Sequence, residues 1–142
     1  MKLDFSTVLT NLEGHAIQET KVDKFGQPIT EAAVDETNQP ILVMDDRGKP
    51  RPLHRVVMID VTARALAVRC LTADSISGRT ISGEERIKRA TLALRVLQAK
   101  EPIDLESQDQ AQLKELAGDL GFGTVVVYAF YQFIEGKPQV AA

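Results

Sequence analysis

Tryptophan is absent, and five Phe and two Tyr are the whole aromatic complement, so any core this chain builds must be aliphatic. Cysteine is nearly absent as well. Cys70 stands alone, which excludes an intrachain disulfide framework and a cysteine-based zinc site and predicts a reducing compartment. Long apolar runs are missing too: the longest, Val125 to Tyr131, has seven residues, too few to cross a bilayer. The start, MKLDFSTVL, sets an acid close behind its lysine where a signal peptide needs an apolar stretch. The expectation is a cytoplasmic protein with no membrane association.

What is present is 142 residues with 17 Lys+Arg, 20 Asp+Glu and 44% hydrophobic side chains, the composition of one globular domain spanning 1–142. The net charge of -3 conceals three blocks. Residues 1–50 carry 5 basic and 9 acidic groups, residues 51–100 carry 10 and 4, and residues 101–142 carry 2 and 7. A basic middle between acidic ends is neutralised within the fold or between copies of the chain, and nothing draws the whole molecule to nucleic acid.

The first block repeats. Asp23 to Pro28, Asp35 to Pro40 and Asp45 to Pro50 all read D-x-x-[GN]-[QK]-P, and a fainter member, Leu12 to Ile17, places Gly14 twelve residues before Gly26. Each is a turn: Asp binds amides ahead of it, Gly or Asn accepts positive φ, and Pro forces an extended exit. The short spacing predicts hairpins or a meander over 1–59, with strands near 3–9, 16–22, 40–44 and 53–59 and an exposed loop over 30–38. Calcium is the competing reading of three aligned Asp residues, but the alternating oxygen ligands and closing Glu of a calcium loop are missing.

Beyond Asp60 the apolar period becomes helical. Val61, Ala65, Val68 and Leu71 or Thr72 predict a helix over 61–73, capped by Asp60 or Thr62 and carrying Cys70 in apolar surroundings. A loop over 74–81 follows. Ser82-Gly83-Glu84-Glu85 is then a capping box, with the Ser82 hydroxyl accepting from the Glu85 amide and the Glu85 carboxylate reaching back to Ser82. That helix runs to Ala99 or Lys100, stopped by Pro102. A third helix covers 107–118. Residues 124–134 combine β-branched and aromatic content with helical spacing; the helix, capped by Thr124, is preferred to a strand because no strand partner is evident nearby. Residues 137–142 read as a tail. The fold class is α+β: amino-terminal hairpins over 1–59, then a bundle of about four helices over 60–136.

Chemistry-bearing groups are scattered. His15 falls in a turn and His54 beside Arg51 and Arg55, at spacings that make no metal site and no nucleophile–base–acid set. Cys70 reads as a small core residue. The glycines of GDLGFGT, Gly118, Gly121 and Gly123, lack the preceding strand and following Lys-Ser/Thr of phosphate loops, so they read as a helix connection. No cofactor, metal or catalytic residue is expected. On the capped helix, Ile87, Ala90, Leu94 and Leu97 form the main apolar stripe, taken as core, while Leu92 and Val96 lie on another side bordered by Arg89 and Arg95. That second pair calls for another element of the same chain, the slightly favoured reading because the amino-terminal sheet must also pack on something, or for a partner, and Arg89, Leu92, Arg95 and Val96 are the candidate partner-binding residues. Basic side chains spread around that helix without aromatics among them argue against direct nucleic-acid binding.

The run Ile81 to Ala93, ISGEERIKRATLA, resembles a group of small, mostly uncharacterised tailed-phage and prophage proteins with the helix motif S-G-E-E-[KR]-x-K-R-x-x-L-A. Leu12 to Ile17, Ile103-Asp104-Leu105 with Asp109, and Ile134-Glu135-Gly136 match that group in order. Glu106 departs from its Ser or Thr cap, and residues 18–53 look like an insertion. The resemblance implies a phage context and brings no functional residues. The expected function is a non-enzymatic role in virion structure or morphogenesis, in the host cytoplasm or the virion, through binding other phage proteins or copies of itself. A small regulator or inhibitor of a host macromolecule or nucleic-acid complex is the second class. An enzyme with a small-molecule site near Gly121 is the third.

Overall fold

The structure, a computed structural model, describes residues 1–73 and 81–142. The loop predicted over 74–81 lies, apart from Ile81, outside the described residues. In chain order the elements are β1 (Lys2–Leu3), β2 (Gln18–Thr20), β3 (Thr30–Ala32), β4 (Leu42–Met44), β5 (Pro50–Pro52), β6 (His54–Val56), β7 (Met58–Asp60), α1 (Ala63–Thr72), α2 (Gly83–Gln98), β8 (Ile103–Asp104), α3 (Ser107–Asp119) and α4 (Thr124–Ile134). This is the expected α+β order. Where one domain was expected, contacts group into two compact units, Met1–Ile17 with Asp60–Ala142, and Gln18–Ile59. The second begins where the resemblance placed an insertion and ends at Ile59 rather than at residue 53.

In the first unit α1 is central, packing against α2, α3 and α4. Ala63, Leu66, Ala67, Cys70 and Leu71 are its buried residues, and Thr62 caps it by accepting from the Ala65 amide at 3.2 Å. Small side chains on α1 let neighbours approach closely, so this helix is buried on most sides. Residues 124–134 are a helix, as preferred. Its cap is Gly123, however, and Thr124 is the first helical residue. Phe130 and Phe133 reach the core, and Phe133 meets Phe5 edge-to-face with ring centroids 5.0 Å apart. β8 was not expected; it pairs antiparallel with β1, setting Leu3 opposite Ile103. Alternation explains it, since Ile103 and Leu105 are buried and Asp104 is exposed. The expected tail is also tied down: Gln139 Nε2 donates to the Ala129 carbonyl at 2.9 Å, and its Oε1 accepts from the Thr10 amide at 3.1 Å.

The second unit is a two-stranded ribbon interrupted on one side by hairpins. β3 pairs with β6 and β4 with β5, antiparallel, and β2 pairs with β7. The region 30–38, expected as a loop, is strand β3 followed by a hairpin closed by the Val34–Pro40 bridge; Ala33 there is only 5% exposed. Small Thr and Ala side chains hid a strand whose partner lies more than twenty residues away.

At each place where a hairpin leaves the ribbon, three chain segments meet in a closed ring of backbone hydrogen bonds. Lys21 N–H donates to Val57 C=O, Val57 to Ile29 and Ile29 to Lys21, at 2.8, 2.8 and 2.9 Å. Ala33, Leu53 and Ile41 repeat the ring, as do Leu9, Val61 and Ile17 in the first unit. The ring satisfies backbone groups that a branching sheet would otherwise leave unpaired. Successive rings advance by twelve residues along two of the segments and retreat by four along the third.

Every hairpin tip uses one turn. Asp23 Oδ1 accepts the amides of Phe25 and Gln27, Asp35 Oδ1 those of Thr37 and Gln39, and Asp45 Oδ1 those of Arg47 and Lys49, all between 2.8 and 3.0 Å. Gly26, Asn38 and Gly48 hold φ of +78°, +64° and +73°, as expected. Asn11 does the same work in the faint fourth member, accepting from Glu13 and His15, with Gly14 at φ +85°.

Candidate interaction surfaces

α2 opens as the sequence predicts, with Ser82 Oγ accepting from the Glu85 amide at 3.2 Å. The Glu85 carboxylate, expected to reach back to Ser82, instead accepts from Arg89 Nη2 at 2.7 Å. The helix buries its second apolar pair within the chain, as the intramolecular reading has it, and leaves the main stripe outside, against expectation. Leu92, Ala93 and Val96 are buried in the core with Arg89, which is only 7% exposed. Ile87, Leu94 and Leu97, the expected core stripe, are 68%, 53% and 56% exposed. Of the four candidate partner-binding residues, only Arg95 is on the surface, where Nη2 donates to the Asp104 carbonyl at 2.8 Å.

The reason is helix approach. Ala93 on α2 and Ala63 and Ala67 on α1 are small enough to bring the backbones together, and Arg64 of α1 clamps the end of α2 by donating to the Val96 and Ala99 carbonyls at 3.3 and 2.5 Å. Close packing of small side chains with Leu92 and Val96 wins over the bulkier stripe. Arg89 masked this face in the sequence because a guanidinium seldom enters a core. Its charge is met by Glu85, while Nε and Nη1 have no partner among the described residues.

The outward stripe keeps a three–four–three spacing through Ile87, Ala90, Leu94 and Leu97, the seam of a two-helix contact. Exposed Arg86, Thr91 and Gln98 border it. Beside it, a cleft of about 540 Å³ separates the first half of α2 from α3, where Lys88 and Arg89 face Asp109 and Glu115. That mixed-charge lining offers polar contacts and no nucleophile–base pair.

A second surface belongs to the ribbon unit. Residues opposite each other across an antiparallel pair share a face. Thr30 lies opposite Val56, Ala32 opposite His54, Leu42 opposite Pro52 and Met44 opposite Pro50, and Thr20 reaches Met58 Sδ. Across β3–β6 and β4–β5 this face carries no Asp, Glu, Lys or Arg and its eight residues are exposed, Met44 to 68% and Leu42 to 57%, while β7 adds Asp60 on the side of Met58. The other face holds the ion pairs Glu31–Arg55 and Asp45–Arg51. The sequence reading missed this segregation, although its signal is present: along β3 to β6 the charged strand residues Glu31, Arg51 and Arg55 all fall at odd positions.

The remaining candidates stay apart. His15 lies in a hairpin turn 3.7 Å from Glu13, and His54 is an exposed strand residue. Burial drives the Cys70 thiol up to about 12, which suppresses the thiolate. The turn carboxylates of Asp35 and Asp45 are held below the usual range. For Asp35 the Thr37 hydroxyl leads, and for Asp45 the Lys49 amide, followed by Arg51. Among the described residues no group of three His, Cys, Asp or Glu is placed to hold a metal, and no helix is long and apolar enough to cross a membrane. No protein-family model, curated protein or solved structure matches the chain.

Proposed function

We propose that this protein acts in tailed-phage virion structure or morphogenesis, as a non-enzymatic component that binds other phage proteins in the host cytoplasm or the virion. The observation that carries the reading is the outward stripe of α2. Three large aliphatic side chains, each more than half exposed, lie in a row at coiled-coil spacing on a helix whose opposite face already fills the core. An apolar row of this kind marks a docking face. The phage context rests on the resemblance at 81–93. Its fixed letters fall on the cap Ser82, the Glu85–Arg89 pair and the buried Leu92 and Ala93.

Mass spectrometry of purified particles, and of cross-linked infected lysate from the phage that encodes the chain, tests this. The chain is expected in particles or assembly complexes, and Leu94→Glu should remove it from them while helical circular dichroism stays at the parental level. Finding it with neither would overturn the reading. The basic middle block, 10 basic against 4 acidic groups over residues 51–100, favours the second class, a regulator or inhibitor that binds a host macromolecule or nucleic-acid complex. Gene neighbours separate the two, since capsid and tail genes mark assembly and early regulatory genes mark inhibition.

A further inference from the structure

We infer that the cleft between the first half of α2 and α3 is a binding site for a small zwitterion of the α-amino-acid class, with Arg89 receiving its carboxylate and Asp109 its ammonium group. The first observation is Arg89 itself. It lines the cleft although its side chain is only 8% exposed, and of its three guanidinium nitrogens Nη2 alone has a partner, the Glu85 carboxylate at 2.7 Å. Nε and Nη1 are buried with no acceptor among the described residues. Buried donors on a charged group are costly to leave unbonded, and an incoming carboxylate removes that cost.

The second observation is how the cleft divides its charge. Both cations of the lining, Lys88 and Arg89, come from α2, whereas the charged lining residues of α3 are both acids, exposed Glu115 and half-buried Asp109. On α2, Glu85 is held by Arg89, and Glu84 is exposed in the first turn. A plain anion suits Arg89 but faces the α3 carboxylates, and a plain cation leaves the Arg89 donors unbonded. A molecule carrying both charges a short distance apart answers both walls. The carboxylates are not gathered for a metal ion, since among the described residues no three His, Cys, Asp or Glu are placed to hold one. The volume, about 540 Å³, falls within the roughly 300 to 1,000 Å³ of clefts that take small organic molecules, and buried Leu116 adds apolar surface for the ligand's side chain.

This inference stands apart from the phage reading, which rests on the outward stripe of α2, and is tested on the full chain by NMR titration with each of the standard α-amino acids. At least one should bind saturably and shift the Arg89 Nε–H signal together with the amides of Lys88 and Asp109. Two derivatives of that ligand, its carboxamide without the carboxylate and its N-acetyl form without the ammonium, should each bind roughly ten- to a hundredfold more weakly, the worth of one hydrogen bond to a charged group. Arg89→Met and Asp109→Asn should weaken binding by similar factors, and Arg55→Met, which removes the same charge from the ribbon unit, should leave it unchanged. Should Arg89→Met fail to fold, Asp109→Asn and the two derivatives still decide. No saturable binding by any member of the panel, full binding of either derivative, or parental affinity in Asp109→Asn would each overturn the inference.

Discussion

The Glu135 carboxylate accepts from Lys114 Nζ at 2.7 Å and from Lys137 Nζ at 2.8 Å, joining α3 to the end of α4. Hydrogen bonding from Lys114, then from Lys137, holds this acid down to about 2, against an ordinary 4.5. A depressed carboxylate contributes stability that is fully present above 4.5 and is lost as pH falls toward 2. Glu135→Gln should therefore lower the urea midpoint at neutral pH, with the difference from the parent shrinking through that window and closing near its lower end. A difference that persists there would show that packing, not the ion pair, sets the effect. At the amino end of α2, Ser82→Ala removes the cap acceptor and should cost roughly 0.5 to 2 kcal/mol in chemical denaturation. The turn residues were legible because their chemistry is local: Asp, two amides and a positive φ all sit within five residues. Gly26→Val should disturb ribbon amide signals and leave the helical circular dichroism in place, because a β-branched residue resists φ +78°. Arg89 was illegible for the opposite reason, since its burial depends on α1, which meets α2 only in the folded chain.

Among elements, α2 separates what periodicity can say from what it cannot. Its start, length and two apolar stripes follow from spacing, but the choice of inner stripe depends on how near another backbone can come. Leu92→Ala should therefore cost about 2 to 5 kcal/mol in denaturant unfolding, and Leu94→Ala no more than about 0.5, the reverse of what residue size along the stripe suggests. Equal losses at the two positions would contradict the assigned faces. The hairpins show a similar division. Tips were readable from composition, while β3 escaped because its partner β6 is remote in sequence and its side chains are small. β8 escaped because two residues are too few for a periodic signal. The charge separation across β3–β6 and β4–β5 was written in odd and even positions, yet it gained meaning only once the register joined them.

For the whole molecule, order along the chain was legible and the division into units was only half so. The chain leaves the helical unit after Ile17 and returns at Asp60, and the resemblance marked the first point because the intervening residues had no counterpart in it. The recurrence of the hydrogen-bonded rings governs how such a segment can change length over generations. Each ring advances by twelve residues on the outgoing side and by four on the returning strand, so a gain or loss on one side alone leaves residues unmatched on the other. Removing residues 21–32 together with 53–56 joins Thr20 to Ala33 and Pro52 to Val57, and closes a new ring from Ala33, Ile41 and Val57. This double deletion should fold, with one hairpin fewer in its amide spectrum, whereas removal of 21–32 alone should broaden the ribbon signals. Descent by single small insertions is thus closed to this segment. Relatives of different ribbon length should differ by coupled changes at two distant places in the gene, each harmful without its counterpart.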